Sequence, residues 1–452
     1  MSQAGLDANF WLALCRSGLV GLLVGSLSLA VGWPLGVRLG LTDFPLRQLC
    51  LALLALPLLV PSFLVAIGLS MLWPGLGGLT GVIWAFASLG IPLVSLATMS
   101  ATCSITGSQV DAASLAGGRS HVYALALQST FPLAALAATL VAALTLADAG
   151  PGQIFGWAAV SNELLISFAA RYDRGLATHQ ALWLAGVAAL LTWPLAWKLA
   201  PEIAASLFAR DVNVPRRVSD RTSQAWSIAV VTLCALLPLA GLCKPLFGGQ
   251  SWPVLRAWAE VSRTGKDTLV YAATAAVIAV GVAFPMAWLA GRSPARRRWL
   301  VTGALALLAL PPALPAIWLI PWSGMWTLGA ALALRGLPLA IVLALRAVGS
   351  TPPSWADAAR VHRVPAATFL VRVQLPWWAR WALPAAAISA LLATAEVGTV
   401  LLLHPPGHAS LPLALFTVMS NAPESLVAML CLLYAALALA VAATALAAAR
   451  RL

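Results

Sequence analysis

VDAASLAGGRSHVYALALQSTFP, residues 110–132, and ADAARVHRVPAATFLVRVQLP, residues 356–376, are two polar stretches in a chain that is otherwise strongly apolar. Both contain Asp-Ala-Ala, once as Asp111, Ala112 and Ala113 and once as Asp357, Ala358 and Ala359. Each stretch is predicted to form a short amphipathic helix between apolar segments. In the second, the apolar side chains that can contact another surface are Ala358, Ala359, Val361, Phe369, Val373 and Leu375.

The composition is that of a polytopic membrane protein. The 452 residues are 61% hydrophobic and 9% charged, and the mean hydropathy is +0.91, whereas about a quarter of the residues of a soluble domain are charged. Because hydrocarbon offers the backbone no hydrogen-bond partner, spans must be helices or a closed barrel, and long apolar runs without alternation favour helices. The basic residues behind the net charge of +13 are spread between apolar runs. This pattern indicates that the basic residues orient the chain in a bilayer, and it argues against nucleic acid as a partner.

Apolar windows of about 20 residues predict an all-α protein with about eleven transmembrane helices. The segments lie near residues 10–36, 47–72, 79–102, 131–149, 179–199, 225–247, 268–291, 299–321, 325–347, 381–403 and 425–448. The proline-rich stretches LPLLVP, residues 56–61, and LPPALP, residues 310–315, are predicted to kink or break their helices. PWWARW, residues 376–381, is predicted to be a tryptophan anchor at the membrane interface.

The basic residues also predict an orientation. If the N-terminus lies outside, most of the 27 Lys and Arg residues fall on one side, which the positive-inside rule assigns to the cytoplasm. Both polar stretches and the C-terminus are then expected in the cytoplasm. The opening MSQAGLDANF lacks a basic n-region, so a cleaved signal peptide is not expected.

Short matches in one order indicate an internal repeat. LALLALP occurs at residues 51–57 and again at 305–311, GIPL at 90–93 matches GLPL at 336–339, and ADAG at 147–150 matches AEVG at 395–398. We predict two homologous halves, residues 1–200 with about five spans and residues 225–452 with about six. Residues 201–224 are predicted to be a cytoplasmic linker between them.

The two polar stretches resemble the EAA loops of ABC importer permeases. In that family Glu-Ala-Ala is followed after three residues by Gly and, about nine residues later, by an apolar-x-Leu-Pro ending. The first copy keeps Gly117 but ends late, and the second keeps the full spacing to Pro376 but has Arg363 at the glycine position. The resemblance implies coupling loops at 109–132 and 355–376. Asp111, Ala112, Ala113, Gly117, Asp357, Ala358, Ala359 and Arg363 would then contact an ATPase.

The two fused halves look like the ferric-iron importer permeases, with thiamine permeases close behind. AEVGTVLLLHPPG, residues 395–407, is similar to the Lys-Glu-Leu-Pro-Ala-Thr-Leu-Leu-Leu-Arg-Pro-Pro-Gly segment of the iron permeases and matches it at Glu396 and at 405–407. The resemblance implies a type I ABC importer permease in the bacterial inner membrane. Its partners would be a cytoplasmic ABC ATPase dimer and an extracytoplasmic substrate-binding protein, besides membrane lipid. Such permeases usually have twelve spans, so the initial span is expected to be missing here.

The chain has no GxxxxGK[ST] motif with which to bind ATP phosphates. ATP and Mg²⁺ are therefore expected on the separate ATPase, with no cofactor, metal site or catalytic residue in this chain. The five histidines form no helical metal-ligand pair, since a Pro-Pro-Gly turn separates His404 from His408.

Asp148 and Glu396 occupy equivalent positions after the two polar loops. A carboxylate in a membrane segment is costly unless it is paired, hydrated or functional. The pair therefore either lines a pathway for a cation or forms polar helix ends at bends made by Gly150 and Gly398. Arg335 lies within a span and is expected either to pair with a carboxylate or to extend toward the membrane surface.

Other transport and non-transport functions remain open from the sequence. Thiamine, polyamine or phosphonate permeases would carry the same loops as iron permeases. A secondary carrier would not need two docking helices, and an integral membrane enzyme would need an intramembrane cluster of acids, histidines or nucleophiles.

Overall fold

Helices make up almost all of the computed structural model, which describes residues 7–208, 218–219, 221–247, 252–291, 293–322, 324–419 and 421–451. The helices up to residue 208 are α1 (Ala8–Leu41), α2 (Arg47–Leu59), α3 (Ser62–Leu72), α4 (Gly78–Ala101), α5 (Gly107–Ala147), α6 (Gly150–Ile154), α7 (Val160–Ala169) and α8 (Arg174–Phe208). A 3₁₀ turn, Thr102–Ser104, extends α4.

The remaining helices follow the same plan of long spans joined by short segments. They are α9 (Arg221–Val231), α10 (Leu237–Cys243), α11 (Val254–Ala290), α12 (Pro294–Ala309), α13 (Ala313–Leu319), α14 (Met325–Gly349), α15 (Pro353–Val361), α16 (Ala366–Phe369), α17 (Leu375–Ala395), α18 (Val397–Leu403), α19 (Leu411–Val418) and α20 (Glu424–Arg451). Short π-helical segments, Thr232–Leu236 and Leu370–Gln374, join α9 to α10 and α16 to α17.

Within these described ranges, eight helices are long and apolar enough to cross a membrane, and the count reaches eleven if each of three bent pairs is one span. The eight are Ala8–Leu41, Gly78–Ser104, Gly107–Ala147, Arg174–Phe208, Arg221–Phe247, Val254–Ala290, Met325–Gly349 and Glu424–Ala449. Each of the eleven predicted segments overlaps one of these elements. The prediction of an all-α, multi-pass membrane protein is therefore confirmed.

The three bent pairs are sharply broken. α2 meets α3 at 105°, α12 meets α13 at 86°, and the helix of residues 366–395 meets α18 at 67°. The first two bends lie at the predicted prolines, where Pro61 precedes α3 and Pro312 precedes α13. Proline lacks an N–H and its ring clashes with the preceding turn, which favours a break at these two positions.

The connection between residues 201 and 224 is shorter than predicted. α8 continues to Phe208 because residues 203–208, IAASLF, are mostly apolar and continue its pattern, and α9 already begins at Arg221. Between them, Val218–Ser219 pairs in parallel with Thr42–Asp43 at the end of α1. Residues 209–217 and 220 of the predicted linker lie outside the described residues.

Two large apolar clusters form the core. One contains side chains of α1 to α5 together with residues of α10 and α20, and the other is built on α8, α11, α12, α14 and α17. α1 packs on α4 and α5, and α11 packs on α14 and α17. Most core positions of the second cluster are alanine, so helix backbones approach closely, as is usual where lipid supplies no hydrophobic force between helices.

Glycine permits the closest of these approaches, between α3 and α10. A Cβ on Gly68 would collide with the carbonyl oxygen of Pro238, and a Cβ on Gly241 would collide with the carbonyl oxygen of Gly68. The helix that follows the predicted linker is therefore held against the first bent pair through backbone contact.

We expect Gly68→Ala to lower the thermal stability of the detergent-solubilised protein, because the added methyl group forces α3 and α10 apart. Overpacking of this kind costs roughly 1–3 kcal/mol. Gly186→Ala is the matched control, since Gly186 lies in α8 with nothing within 4 Å of the added Cβ. The control should be neutral or stabilising, by up to about 1 kcal/mol. Equal unfolding temperatures for the two variants would contradict the close contact.

Candidate functional site

The first predicted coupling loop is the polar beginning of α5. The Thr106 hydroxyl accepts a hydrogen bond from the Gln109 amide at 3.4 Å, and the Gln109 side chain accepts one from the Thr106 amide at 3.0 Å. This capping box starts the helix that carries Asp111. The prediction treated the loop helix as separate from the following span, but one long element contains both, interrupted only at Gly117 and Gly118. Gly118 has a φ of 69°, which glycine adopts without strain.

The second predicted coupling loop begins with a separate helix, α15, which ends in a Schellman motif, and its residues from Ala366 onward belong to the helix that continues into α17. The Val364 amide donates to the Ala359 carbonyl at 2.8 Å, and the Arg363 amide donates to the Arg360 carbonyl at 3.1 Å. Arg363 itself has a φ of 50°, a conformation that costs an ordinary residue roughly 1–2 kcal/mol. The left-handed turn therefore forms although arginine replaces glycine, and the backbone of Arg363 is strained as a result.

Both loops present the same exposed face. Asp111, Ala112, Asp357 and Ala358 are exposed, and Ala113 and Ala359 are half-buried. An exposed apolar side chain lies four residues after each aspartate: Leu115 has 89% and Val361 has 79% of its surface exposed.

Sequence reasoning included Val361 but missed Leu115. The equal spacing from the two aspartates could have identified it. Phe369, predicted as contact surface, is half-buried.

Tryptophans tie the second loop to the following span. The Trp355 ring in α15 lies 5.0 Å from the Trp377 ring, and the indole N–H groups of Trp377 and Trp378 donate to the hydroxyls of Ser350 at 3.2 Å and Thr351 at 3.0 Å. Trp378 is almost fully buried. The interpretation of PWWARW as an interfacial anchor is thus wrong for Trp378, because its ring packs inside the protein beside Phe284.

Asp148 and Glu396 line one cavity of about 420 Å³. Its other walls are mainly leucine, proline and phenylalanine, drawn from α2 to α5 and from α12, α14, α17 and α18. The residues at the helix breaks, Val60, Pro61 and Pro312 among them, also line it. The structure therefore brings together two carboxylates that are far apart in the sequence.

Each carboxylate caps the short helix that follows it. The Gly150 amide donates to Asp148 Oδ1 at 2.9 Å, and Ser62 also interacts with this carboxylate. Glu396 interacts with the backbone N–H groups of Gly398 and Thr399. Free N–H groups and the positive end of the helix dipole both stabilise an anion at a helix start. A helix break lies at each carboxylate, with Gly150 as the first residue of α6 and Gly398 inside α18, and at both breaks the carboxylate also lines the cavity.

Arg335, on α14, supplies the cation of the cavity. Its Nε lies 3.8 Å from Glu396 Oε2, with both side chains less than a fifth exposed, so of the two expectations for Arg335 the pairing is observed. Its Nη1 also donates to the Leu308 carbonyl at 3.0 Å. That carbonyl would bond the amide of residue 312 in a continuous helix, and Pro312 has none. Arg335 therefore satisfies the acceptor that the broken helix leaves free.

The charge of the cavity is asymmetric. Arg335 directly precedes GLPL and Leu89 directly precedes the matching GIPL, and both residues line the cavity. With all three groups ionised, Asp148, Glu396 and Arg335 give the cavity a net negative charge.

The other titratable candidates do not converge on this cavity. His408 Nδ1 lies 3.3 Å from Asp267 Oδ2, and His404 is absent from the cavity wall. Among the residues that the structure describes, no group of three or more His, Cys, Asp or Glu side chains could hold a metal ion.

No protein-family model matches the chain, and no curated protein matches it.

We expect Arg363→Gly to stabilise the turn after α15, because glycine adopts the left-handed conformation without strain. Hydrogen–deuterium exchange of the peptide that contains Val364 should slow by about tenfold, the equivalent of about 1.4 kcal/mol. Arg360→Gly is the control, since it removes an arginine three residues earlier from a helical position and should accelerate exchange. Unchanged exchange in Arg363→Gly would contradict the strain.

We expect Arg335→Leu to destabilise the protein by roughly 2–3 kcal/mol, because it leaves Glu396 unpaired and the Leu308 carbonyl without a donor. Glu396→Gln in the same chain should recover about 1 kcal/mol of this loss. Thermal unfolding of the two single variants and the double variant measures the coupling. Strictly additive effects would show that the Arg335–Glu396 pair contributes nothing.

Proposed function

We propose that the chain is the permease subunit of a binding-protein-dependent ABC importer. In this proposal cargo crosses the membrane between two halves of the chain by alternating access, and a separate ATPase dimer in the cytoplasm drives the change. A substrate-binding protein delivers cargo on the other side. The chain itself then carries out no chemical step, and ATP and Mg²⁺ bind to the ATPase.

The single observation that carries this proposal is the pair of exposed loop helices. Each presents an Asp-Ala-Ala face and one highly exposed apolar side chain, Leu115 or Val361, at the same spacing from its aspartate. Six crossings separate Asp111 from Asp357, if each bent pair counts as one span. An even number supports a common side for the two loops, where one two-fold symmetric ATPase dimer could receive both.

The repeated pattern of helices supports two permease halves. The bends of the first two bent pairs both lie at or just after LALLALP. α1 packs on α4 and α5 in the way that α11 packs on α14 and α17. We therefore retain the division into residues 1–200 and 225–452, with α9 and α10 as the additional span of the second half. Rigid halves that move about a central cavity are a common arrangement for such a transition.

The cavity is the proposed pathway, and with Asp148 and Glu396 both ionised it would favour a cationic cargo. Ferric iron is the first candidate because residues 395–407 resemble the segment of iron permeases. Carboxylate oxygens suit a hard cation, although two carboxylates do not make a selective site, so selection is assigned to the binding protein. Thiamine and polyamines are the organic cations that would also fit, whereas a phosphonate would depend on Arg335.

We expect Asp357→Lys to abolish ATP-dependent uptake in proteoliposomes while the protein remains folded in the membrane, because a lysine at the centre of the docking face repels a partner that accommodates an acid. Glu202→Lys is the matched control, since it makes the same charge reversal at an exposed position of α8 and should leave uptake near the wild-type rate. Uptake at the wild-type rate by Asp357→Lys would overturn the docking role of this loop.

The cheaper test of the whole proposal is co-purification of an ATPase subunit, followed by ATP hydrolysis that cargo-loaded binding protein stimulates. A chain that transports in proteoliposomes without any ATPase would be a secondary carrier instead.

A further inference from the structure

Arginine and aromatic side chains form a niche where the ends of α8 and α14 meet the starts of α12 and α17. We call this cluster the arginine niche and define it as Leu207, Phe208, Arg297, Arg346, Trp377, Arg380 and Trp381. The Arg297 guanidinium carbon lies 4.3 Å from the centre of the Phe208 ring, and Arg346 donates to the Leu207 carbonyl at 3.1 Å.

The second part of the niche continues from Arg346. Its guanidinium carbon lies 5.8 Å from the centre of the Trp381 ring. Arg380, the neighbour of Trp381 in the chain, stacks on Trp377 at 3.1 Å. The contacts therefore connect three arginines in one patch.

Among the residues that the structure describes, three buried donors of the niche have no acceptor. They are Arg297 Nε, Arg380 Nε and Trp381 Nε1. Leaving a buried polar group without a partner is costly, so such groups are rare unless a bound molecule completes them. The ion pairs found in the described part of the chain include neither Arg297 nor Arg380. Because all three atoms are donors and two belong to cations, a ligand that bonds to them would carry acceptors and negative charge.

We propose that the arginine niche binds the phosphodiester headgroup of an anionic phospholipid. The niche lies at the ends of membrane-spanning helices, which is the level of the headgroups, and Arg297 follows within four residues of the start of α12 at Pro294. Trp299, two residues further along the same helix, is 58% exposed, as is usual for tryptophan at the membrane interface. Basic pockets between spans at this depth suit anionic lipid.

The same headgroup would stiffen the second loop. Trp377, on which Arg380 stacks, contacts Trp355 in α15 and donates to Ser350. A phosphate that fixes Arg380 therefore also restricts the tryptophan that holds the loop in place. Binding itself does not depend on the proposed transport function, since it requires only a membrane around the chain.

The test is a titration of the purified full-length chain in detergent with dioleoyl-phosphatidylglycerol, with bound lipid counted by native mass spectrometry. Arg297→Gln combined with Arg380→Gln should weaken binding by about thirtyfold, which corresponds to about 1 kcal/mol for each arginine. Arg296→Gln combined with Arg372→Gln is the matched control, because both of these arginines are exposed and the loss of charge is the same. The control should bind as the wild type does.

Trp381→Phe is a milder second variant that tests the niche even if the double variant misfolds, since it removes one donor and keeps an aromatic ring. It should weaken binding by about threefold to tenfold. Hydrogen exchange of α15 should slow when phosphatidylglycerol is added to the wild type but not when it is added to Arg297→Gln/Arg380→Gln.

Three results would overturn the proposal. Equal loss of binding in the control pair would mean a general attraction of anions to the basic surface. Equal affinity for phosphatidylcholine would remove the need for a negative lipid, and complete displacement of the lipid by inorganic phosphate would assign the niche to a free anion.

Discussion

The constraint on which this structure depends is the need to satisfy backbone hydrogen bonds away from water. A helix in hydrocarbon can be broken only where other groups bond the freed N–H and C=O. The residues at the breaks between α2 and α3, between α12 and α13 and around Asp148 and Glu396 all line the central cavity. The polar groups of the cavity satisfy the backbone groups that the breaks leave free. The Asp148 carboxylate accepts from the Gly150 amide, and Arg335 donates to the Leu308 carbonyl. A structural role for these three residues is therefore compatible with the proposed pathway role, since the same side chains line the cavity.

The two loops show how differently a similar turn can be built. In the first, paired glycines interrupt a continuous helix, and in the second a Schellman motif ends a short helix with arginine in the left-handed conformation. The strain at Arg363 is local, and tryptophan contacts join its helix α15 to the following span. An exposed helix can thus end in a left-handed turn at a residue other than glycine if contacts with the following span fix the helix in place.

Much of this architecture could be predicted from the sequence, for identifiable reasons. Each apolar window overlaps a helix or bent pair that could cross a membrane, and proline predicted the breaks near Val60 and Pro312, because both signals are local. The order of the repeated stretches is enough to bring Asp148 and Glu396 into correspondence. The partner of Arg335 could not be predicted, because the choice between Glu396 and the membrane surface depends on how α14 faces α17 and α18. The same limitation applies to Trp378, whose burial follows from tertiary packing and not from its interfacial composition.

The presence of Arg335 beside Glu396, with leucine at the matching position of the first half, has a consequence for how such a protein can be assembled. In the proposed arrangement, two copies of the first half would place two acids and no base at the centre, and two copies of the second half would balance every acid with a base. Joining unlike halves in one polypeptide allows an intermediate net charge, in which two acids share one base. Covalent fusion thus permits a degree of electrostatic tuning that an assembly of identical subunits cannot reach by substitution at this position.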